Sequence, residues 1–383
     1  MEYRRFGRMD WKVSALGFGA MRLPVIDRKQ AAIDEPLAGR MIAYAVEHGV
    51  NYFDTAYGYH EGRSEPFVGR VLKEGGYRDK VKLATKMPIW LVETAADFDR
   101  YLNEQLQKLQ TDHIDCYLLH GLNQRFWPKM RDLGVGNWAE GAVADGRIGH
   151  FGFSFHDDFD TFKDIIDTYD NWDICQIQYN FMDIEYQAGT IGLKYAADKG
   201  LAVVVMEPLR GGKFTKAPPQ KIKDILEKAP RKRSLPEWAL QWVLDQPEVS
   251  VALSGMSAME HVEENCGIAA QSAKNALSAE EMEIIAQLRD AYKGLSPIPC
   301  TKCEYCMPCT GGINIPYVFD LYNEAFIYGD KAMPRVRYRQ QPEEKWGNQC
   351  TECGACENMC PQHIEIIEWM KKVHAFLGPK PKA

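Results

Sequence analysis

Short apolar runs alternate with amphipathic stretches along the first 265 residues of the chain. The apolar runs are Val13-Ser-Ala-Leu-Gly17, Tyr52-Phe-Asp54, Val81-Lys-Leu-Ala-Thr85, Ile114-Asp-Cys-Tyr-Leu-Leu119, Ile148-Gly-His-Phe-Gly-Phe153, Ile174-Cys-Gln-Ile-Gln178, Ala202-Val-Val-Val-Met206 and Val249-Ser-Val-Ala-Leu253. Continuous runs of this length, rich in β-branched residues, predict buried strands. Between them a 3.6-residue period predicts helices near 37–48, 64–74, 97–109, 138–145, 158–169, 188–199, 235–245 and 258–265. Eight strand-helix units in about 250 residues predict an α/β fold of the closed (β/α)8 TIM-barrel type. A doubly wound open sheet is the competing architecture, but no G-x-G-x-x-G follows the first strand. Ahead of the barrel, residues 1–13 read as a β-hairpin turning at Gly7-Arg-Met-Asp10. Behind it a helix is expected from Ser278 to Lys293, opened by a capping box of Ser278 and Glu281. Gly294 and Ser296-Pro-Ile-Pro299 then read as a linker. The expected domains are a barrel over 1–295 and a small module over 296–383.

Composition narrows the function classes. The net charge of -7 and the single short basic cluster, Arg231-Lys-Arg233, argue against nucleic acid as a partner, and that cluster reads as a solvated helix start. No apolar run reaches about 18 residues, so no membrane partner is expected. Met1-Glu-Tyr-Arg-Arg-Phe6 has no apolar signal core, which predicts a cytoplasmic, reducing location. Eight of the eleven cysteines fall between Cys300 and Cys360. In a reducing compartment such a cluster reads as metal ligands rather than disulfides.

A barrel of this type carries its chemistry at the C-terminal ends of its strands. Asp54 and Tyr59 follow the second expected strand, Lys86 the third and His120 the fourth. Tyr57 is a rival for Tyr59. The four side chains make a coherent set. A tyrosine has a pKa near 10, and a lysine cation held by an aspartate would lower it. The hydroxyl could then protonate a carbonyl oxygen as hydride reaches the carbon, with His120 hydrogen-bonded to the same oxygen.

These residues carry a resemblance. Asn51-Tyr-Phe-Asp-Thr-Ala56, Ser64-Glu65, Ala84-Thr-Lys86, Ile114-Asp115, Leu118-Leu-His120, Gly152-Phe-Ser154, Gln176-Ile-Gln-Tyr-Asn180, Glu207-Pro-Leu209, Ser254-Gly255 and Glu264-Asn265 are similar to motifs of the aldo-keto reductase family, over residues 1 to about 290. The resemblance implies a catalytic tetrad of Asp54, Tyr59, Lys86 and His120, a small carbonyl or alcohol substrate, and NAD(P)H as cofactor. It implies carboxamide contacts from Ser154 and Gln176, with Met206 where the family usually stacks an aromatic on the nicotinamide. It assigns the pyrophosphate to the loop Glu207–Gly212, with Pro208, Leu209 and Gly211. The adenosine falls to the segment of Ser254, Gly255, Glu264 and Asn265. Two positions depart from the family: Phe155 stands where Asn is usual after Ser154, and Gly255–His261 has no Lys or Arg to pair a 2'-phosphate. The latter makes NADH use plausible. The loop Gly121–Trp138, with Phe126, Trp127 and Trp138, hints equally at a ring-bearing substrate or at packing.

The cysteines form two runs, Cys300-x2-Cys303-x2-Cys306-x2-Cys309 and Cys350-x2-Cys353-x2-Cys356-x3-Cys360-Pro361. The second matches the bacterial ferredoxin run, whose fourth cysteine ligates the other cluster. The first ends in Thr310 instead of proline. Gly312-Ile-Asn-Ile315 and His363-Ile-Glu-Ile366 echo one another after the two runs, which suggests two related halves. This ferredoxin-like reading implies two 4Fe-4S clusters: one on Cys300, Cys303, Cys306 and Cys360, the other on Cys350, Cys353, Cys356 and Cys309. Structural zinc is the competing assignment. Hydride carries two electrons and a cubane passes one, so a flavin or a redox partner protein would be needed to connect them. The functional expectation is an oxidoreductase with an appended iron–sulfur module that is either an electron-transfer or a structural unit. The alternative is a non-catalytic cofactor-binding or electron-transfer partner protein.

Overall fold

The computed structural model describes residues 1–300, 302, 305–360 and 362–379. They fall into two compact units, one made of Met1–Lys213 and Pro236–Leu277, the other of Phe214–Leu235 and the chain from Ser278 onward.

In the first unit, strands β1 (Tyr3–Arg5) and β2 (Lys12–Ser14) form an antiparallel hairpin. Eight parallel strands follow: β3 (Leu16–Gly19), β4 (Tyr52–Asp54), β5 (Lys82–Met87), β6 (Ile114–Leu122), β7 (Ile148–Phe155), β8 (Ile174–Gln178), β9 (Ala202–Met206) and β10 (Val249–Gly255). They close in sequence order, with β10 paired to β3, so the expected TIM barrel is the observed fold. Leu118, Cys116, Ala84, Tyr52, Ile174, Val204 and Val251 pack in its interior together with Phe6, Met9 and Val13 of the hairpin segment. These contacts lie at the strand N-termini, so the hairpin plugs that end and leaves the C-terminal mouth for chemistry. Gly7 makes the plug possible: its φ is +54°, and a Cβ there would lie 2.4 Å from the Ala202 nitrogen.

The expected first strand, 13–17, straddles two elements. The chain breaks at Ala15, where Ser14 N donates to Asn51 Oδ1 (2.7 Å) and Asn51 N donates back to Ser14 Oγ (3.0 Å). The side-chain exchange ends the hairpin and starts the barrel strand at Leu16. Helices at Glu35–Glu47, Ser64–Glu74, Ala96–Leu109, Val135–Ala144, Phe159–Thr168, Gly189–Asp198, Leu235–Asp245 and Met259–Ala270 match the periodic stretches. Short helices at Trp127–Asp132 and Gln220–Lys228 were not expected. Among the described residues no helix is long and apolar enough to cross a membrane.

In the second unit, helix Ala279–Gly294 opens with the expected capping box. It groups with helix Gln220–Lys228, and Arg233 pairs with Glu281 at 2.8 Å. Arg231 and Lys232 of the basic cluster are exposed, as a solvated stretch should be, whereas Arg233 is largely covered by its pair with Glu281; helix Leu235–Asp245 begins just beyond the cluster. Ile298, Ile313, Ile315, Val318, Phe319, Ile364, Ile366, Met370 and Val373 make a separate core. The sequence echo is a structural repeat. Gly312 N donates to Cys309 O and His363 N to Cys360 O (2.9 and 3.0 Å). Both residues have positive φ, +73° and +49°, and each precedes a helix, Ile315–Ile327 and Ile366–Leu377. The basic stretch after 328 contains helix Ala332–Gln340. Arg335 donates to Phe376 O (2.9 Å), and Arg339, itself exposed, donates to Leu377 O and Gly378 O (3.2 and 2.8 Å), satisfying the last carbonyls of the neighbouring helix.

Candidate active site and cysteine centre

Asp54 ends β4 and Lys86 lies near the end of the adjacent β5, so pairing of these strands brings the two side chains together. Lys86 Nζ donates to both Asp54 carboxylate oxygens (2.6 and 2.7 Å), to Thr55 O (2.9 Å) and to Tyr59 Oη (3.4 Å). Both charged side chains are nearly inaccessible, 1% and 2% exposed. Burial works against the lysine charge, but Asp54 and then Tyr59 outweigh it and lift the Lys86 pKa. Burial also raises the Tyr59 pKa, more than Lys86 lowers it, so the hydroxyl stays protonated at neutral pH; the net lowering expected from sequence is reversed. Tyr57 points elsewhere, onto Glu104 (3.1 Å), with Lys108 over its ring.

His120, on β6, stands edge-on to the Tyr59 ring with centroids 5.8 Å apart. Burial, Lys86 and His156 push its pKa down to about 3, so the imidazole is neutral. Its Nδ1 has no hydrogen-bond partner. A buried network holds the Lys86 segment: Thr85 Oγ1 donates to Glu65 (2.7 Å), Gln105 Nε2 to Lys86 O (3.1 Å), and Tyr117 to Gln105 (2.6 Å). Ser64, beside Glu65, pairs with Thr55 at 2.8 Å. The four candidate catalytic residues thus meet at one mouth.

The candidate cofactor residues surround the same mouth. Gln176, at 1% exposure, hydrogen-bonds Asp54, while its Oε1 is buried and unpartnered, an acceptor suited to a primary amide. The Ser154 hydroxyl accepts from Gly121 N (2.8 Å) and donates to Leu119 O (3.4 Å), tying the ends of β6 and β7. Met206 ends β9, and the loop after it holds Pro208, Leu209 and Gly211. Left-handed backbone at Glu207, Arg210, Gly211 and Gly212 shapes that loop, and Arg210 anchors it to Asp183 (3.0 and 3.1 Å). Asn265 Nδ2 donates to Ser254 Oγ (3.1 Å), both buried; Gly255 and Glu264 are exposed.

The cysteine centre belongs to the second unit. Cys309, Cys350, Cys353 and Cys356 line one cavity of about 210 Å³, walled by Ile313, Ile315, Ile366 and Met370; Cys306 also borders it. Among the described residues no three His, Cys, Asp or Glu side chains converge on a single metal ion. Thiols spread around a cavity fit a polynuclear cluster better than one tetrahedral zinc. Cys300, Cys306 and Cys360 pack on the same core, whereas Cys303 and Pro361 lie outside the described residues.

The model of the "Aldo/keto reductase family" matches residues 15–290. The chain belongs to the aldo-keto reductase family. A second model, "4Fe-4S dicluster domain", matches residues 299–365, so this aldo-keto reductase carries an iron–sulfur domain. The NADH-specific methylglyoxal reductase of Escherichia coli is 27% identical over 68% of this chain and 90% of its own length. An aldo-keto reductase of Bacillus halodurans, in holo form, has a TM-score of 0.62 and 29% identity over 75% of this chain and 96% of its own. One from Klebsiella pneumoniae, in complex with NADP and acetate, has a TM-score of 0.59 and 26% identity over 75% and 95%.

Two residues of this aldo-keto reductase escaped the sequence reading. Trp90 is 45% exposed and faces His120, centroids 5.1 Å apart. By contrast Trp127 packs on Trp172 and Trp138 on Phe98, so neither lines the mouth. Arg22, just beyond β3, lies beside two of the candidate cofactor segments: a Cβ at Gly255 would lie 3.2 Å from its stem, and one at Gly211 would lie 3.8 Å from its guanidinium. The absence of a side chain at Gly255 gives the arginine stem its room, while at Gly211 a Cβ would make only ordinary contact with the guanidinium. His60 steadies this segment, accepting from Leu23 N (3.2 Å) and donating through Nδ1 to Gln30 O (2.8 Å).

Proposed function

We propose that the barrel reduces a small aldehyde or α-oxoaldehyde with NADH, using Tyr59 as proton donor, Lys86 and Asp54 as its electrostatic support, and neutral His120 to orient the carbonyl oxygen. The observation that carries this is the buried Lys86 cation bridging Asp54 and the Tyr59 hydroxyl. Bound nicotinamide would supply the hydride. Gln176 Oε1, with Ser154, would hold its carboxamide, Met206 its ring face, the loop of Pro208, Leu209 and Gly211 its pyrophosphate, and Ser254, Gly255, Glu264 and Asn265 the adenosine. Lys86 keeps its charge throughout and stabilises the phenolate left when Tyr59 gives up its proton. Trp90 walls the carbonyl site and excludes water from it. Steady-state oxidation of NADH and NADPH with methylglyoxal and simple aromatic aldehydes tests the proposal. NADH should give the larger kcat/KM; no oxidation above the protein-free rate with either cofactor would sink it.

The pH profile follows from the same groups. His120 is neutral far below its ordinary value, and Tyr59 titrates above its own. The reduction rate should therefore be flat from about pH 5 to 9, with no limb near the ordinary histidine pKa of about 6.5. A limb there in kcat would contradict a neutral His120.

Arg22 is the cation beside the pyrophosphate loop. Arg22→Gln is expected to weaken NADH and NADPH alike, about tenfold, as one charge-assisted phosphate contact is lost. Fluorescence titration checks this; a loss confined to NADPH would place the guanidinium at the 2'-phosphate instead.

The cysteine module holds two 4Fe-4S clusters on crossed ligands and relays single electrons to a flavin or redox partner protein. Bound clusters would supply one-electron storage. Cys309→Ser should remove the cluster of Cys350, Cys353 and Cys356, although Cys309 sits in the first run, and Cys360→Ser the other. Iron content should fall by about half in each, with different electron paramagnetic resonance signals surviving. The same surviving signal in both variants would refute the crossing.

A further inference from the structure

We propose that Thr310 tunes the reduction potential of one cluster by hydrogen-bonding the sulfur of Cys353. This rests on the proposed ligand set Cys309, Cys350, Cys353 and Cys356. Thr310 Oγ1 lies 3.3 Å from Cys353 Sγ. A ligating cysteine is a thiolate and can only accept, so the hydroxyl must be the donor. The Thr351 hydroxyl and the Ala355 N–H reach the same sulfur. Cys353 is the exposed member of the set; Cys309, Cys350 and Cys356 are half-buried. Exposed Tyr305 and Met359 line the same cavity. The donors therefore converge on the sulfur at the open edge of the site.

The two related halves make this asymmetric. Thr310 follows Cys309, and the corresponding residue after Cys360 is Pro361, which has neither a hydroxyl nor an N–H. Hydrogen bonds to ligand sulfur stabilise negative charge. The reduced state carries one more electron, spread partly onto sulfur, so a donor favours reduction and raises the potential. Thr310 thus makes the cluster at the exposed cysteine the easier of the two to reduce. An electron arriving anywhere in the module would rest at its solvent-facing edge, where a partner could collect it.

The test is a redox titration of the full-length protein with both clusters loaded, followed by electron paramagnetic resonance. Thr310→Val keeps the shape and removes the donor; Thr310→Ser keeps the donor. At fixed potential the valine variant should hold its reduced cluster about tenfold less, which is about 59 mV for a one-electron couple. The other cluster should keep its midpoint, and serine should restore the first. Thr351→Val, with a shift in the same direction, serves if Thr310→Val loads incompletely. Unchanged midpoints in fully loaded Thr310→Val and Thr351→Val would overturn the inference and leave the ligand set standing. Iron analysis showing no second cluster in the wild type would instead remove the ligand reading on which it rests.

Discussion

Tyr59→Phe is expected to bind NADH as tightly as the wild type and to reduce aldehydes with a kcat lower by about 10²–10⁴-fold, the usual contribution of a positioned proton donor. The substitution removes one oxygen and keeps the ring, whose packing against His120 holds that side of the mouth. The lost oxygen has Lys86 as its hydrogen-bond partner, at 3.4 Å. Lys86 retains Asp54 and Thr55 O, so the buried cation stays satisfied and the fold should not suffer. Wild-type binding with lost turnover separates proton donation from cofactor capture. Turnover within a few-fold of wild type would move the donor role away from Tyr59, and Tyr57, occupied with Glu104, is poorly placed to take it.

Lys86→Met should be worse, because it damages stability as well as chemistry. Removing one partner of a buried ion pair costs about 3–5 kcal/mol, since the other charge stays buried and unpaired. Here that charge is Asp54, 2% exposed. Burial already raises its pKa, and Lys86 and Gln176 oppose that rise. Without the lysine the folded-state pKa climbs further above the unfolded value. A carboxyl with a raised folded pKa binds more protons when folded, so stability is greatest at acid pH and is lost as pH rises through that pKa. The variant should therefore unfold more easily at neutral pH and recover as the pH falls towards the ordinary carboxylate range. Adding Asp54→Asn should restore much of the loss, and the double-mutant cycle should show a coupling of at least about 2 kcal/mol. Additive losses in denaturant unfolding would mean that the pair does not hold the site together.

Much of this was legible in the sequence because parallel strands are buried on both faces. Val203, Val204 and Val205 are fully buried and read as one apolar run without needing alternation. The strand-end residues Asp54, Lys86 and His120 could be placed at one mouth once the strands were counted. The echo between Ile313-Asn-Ile315 and Ile364-Glu-Ile366 held for a physical reason: all four isoleucines enter one core ahead of paired helices. What failed depended on partners that spacing does not reveal. Arg335 and Arg339 belong to no motif, yet both donate to the end of another helix. Arg22 follows no motif, and its place beside Gly211 and Gly255 is a matter of tertiary proximity that spacing does not carry. For Trp138 the sequence left substrate wall and packing equally open; its indole N–H on Asp99 and its ring on Phe98 make it packing.

The most direct test of the site is the fate of a labelled hydride. NADH carrying deuterium at the transferable position, mixed anaerobically with an aldehyde and the cluster-loaded protein, should give an alcohol with one deuterium on its carbinol carbon while the clusters remain oxidised. Loss of the label to solvent, with clusters reduced during turnover, would contradict direct transfer beside Tyr59, Lys86 and His120.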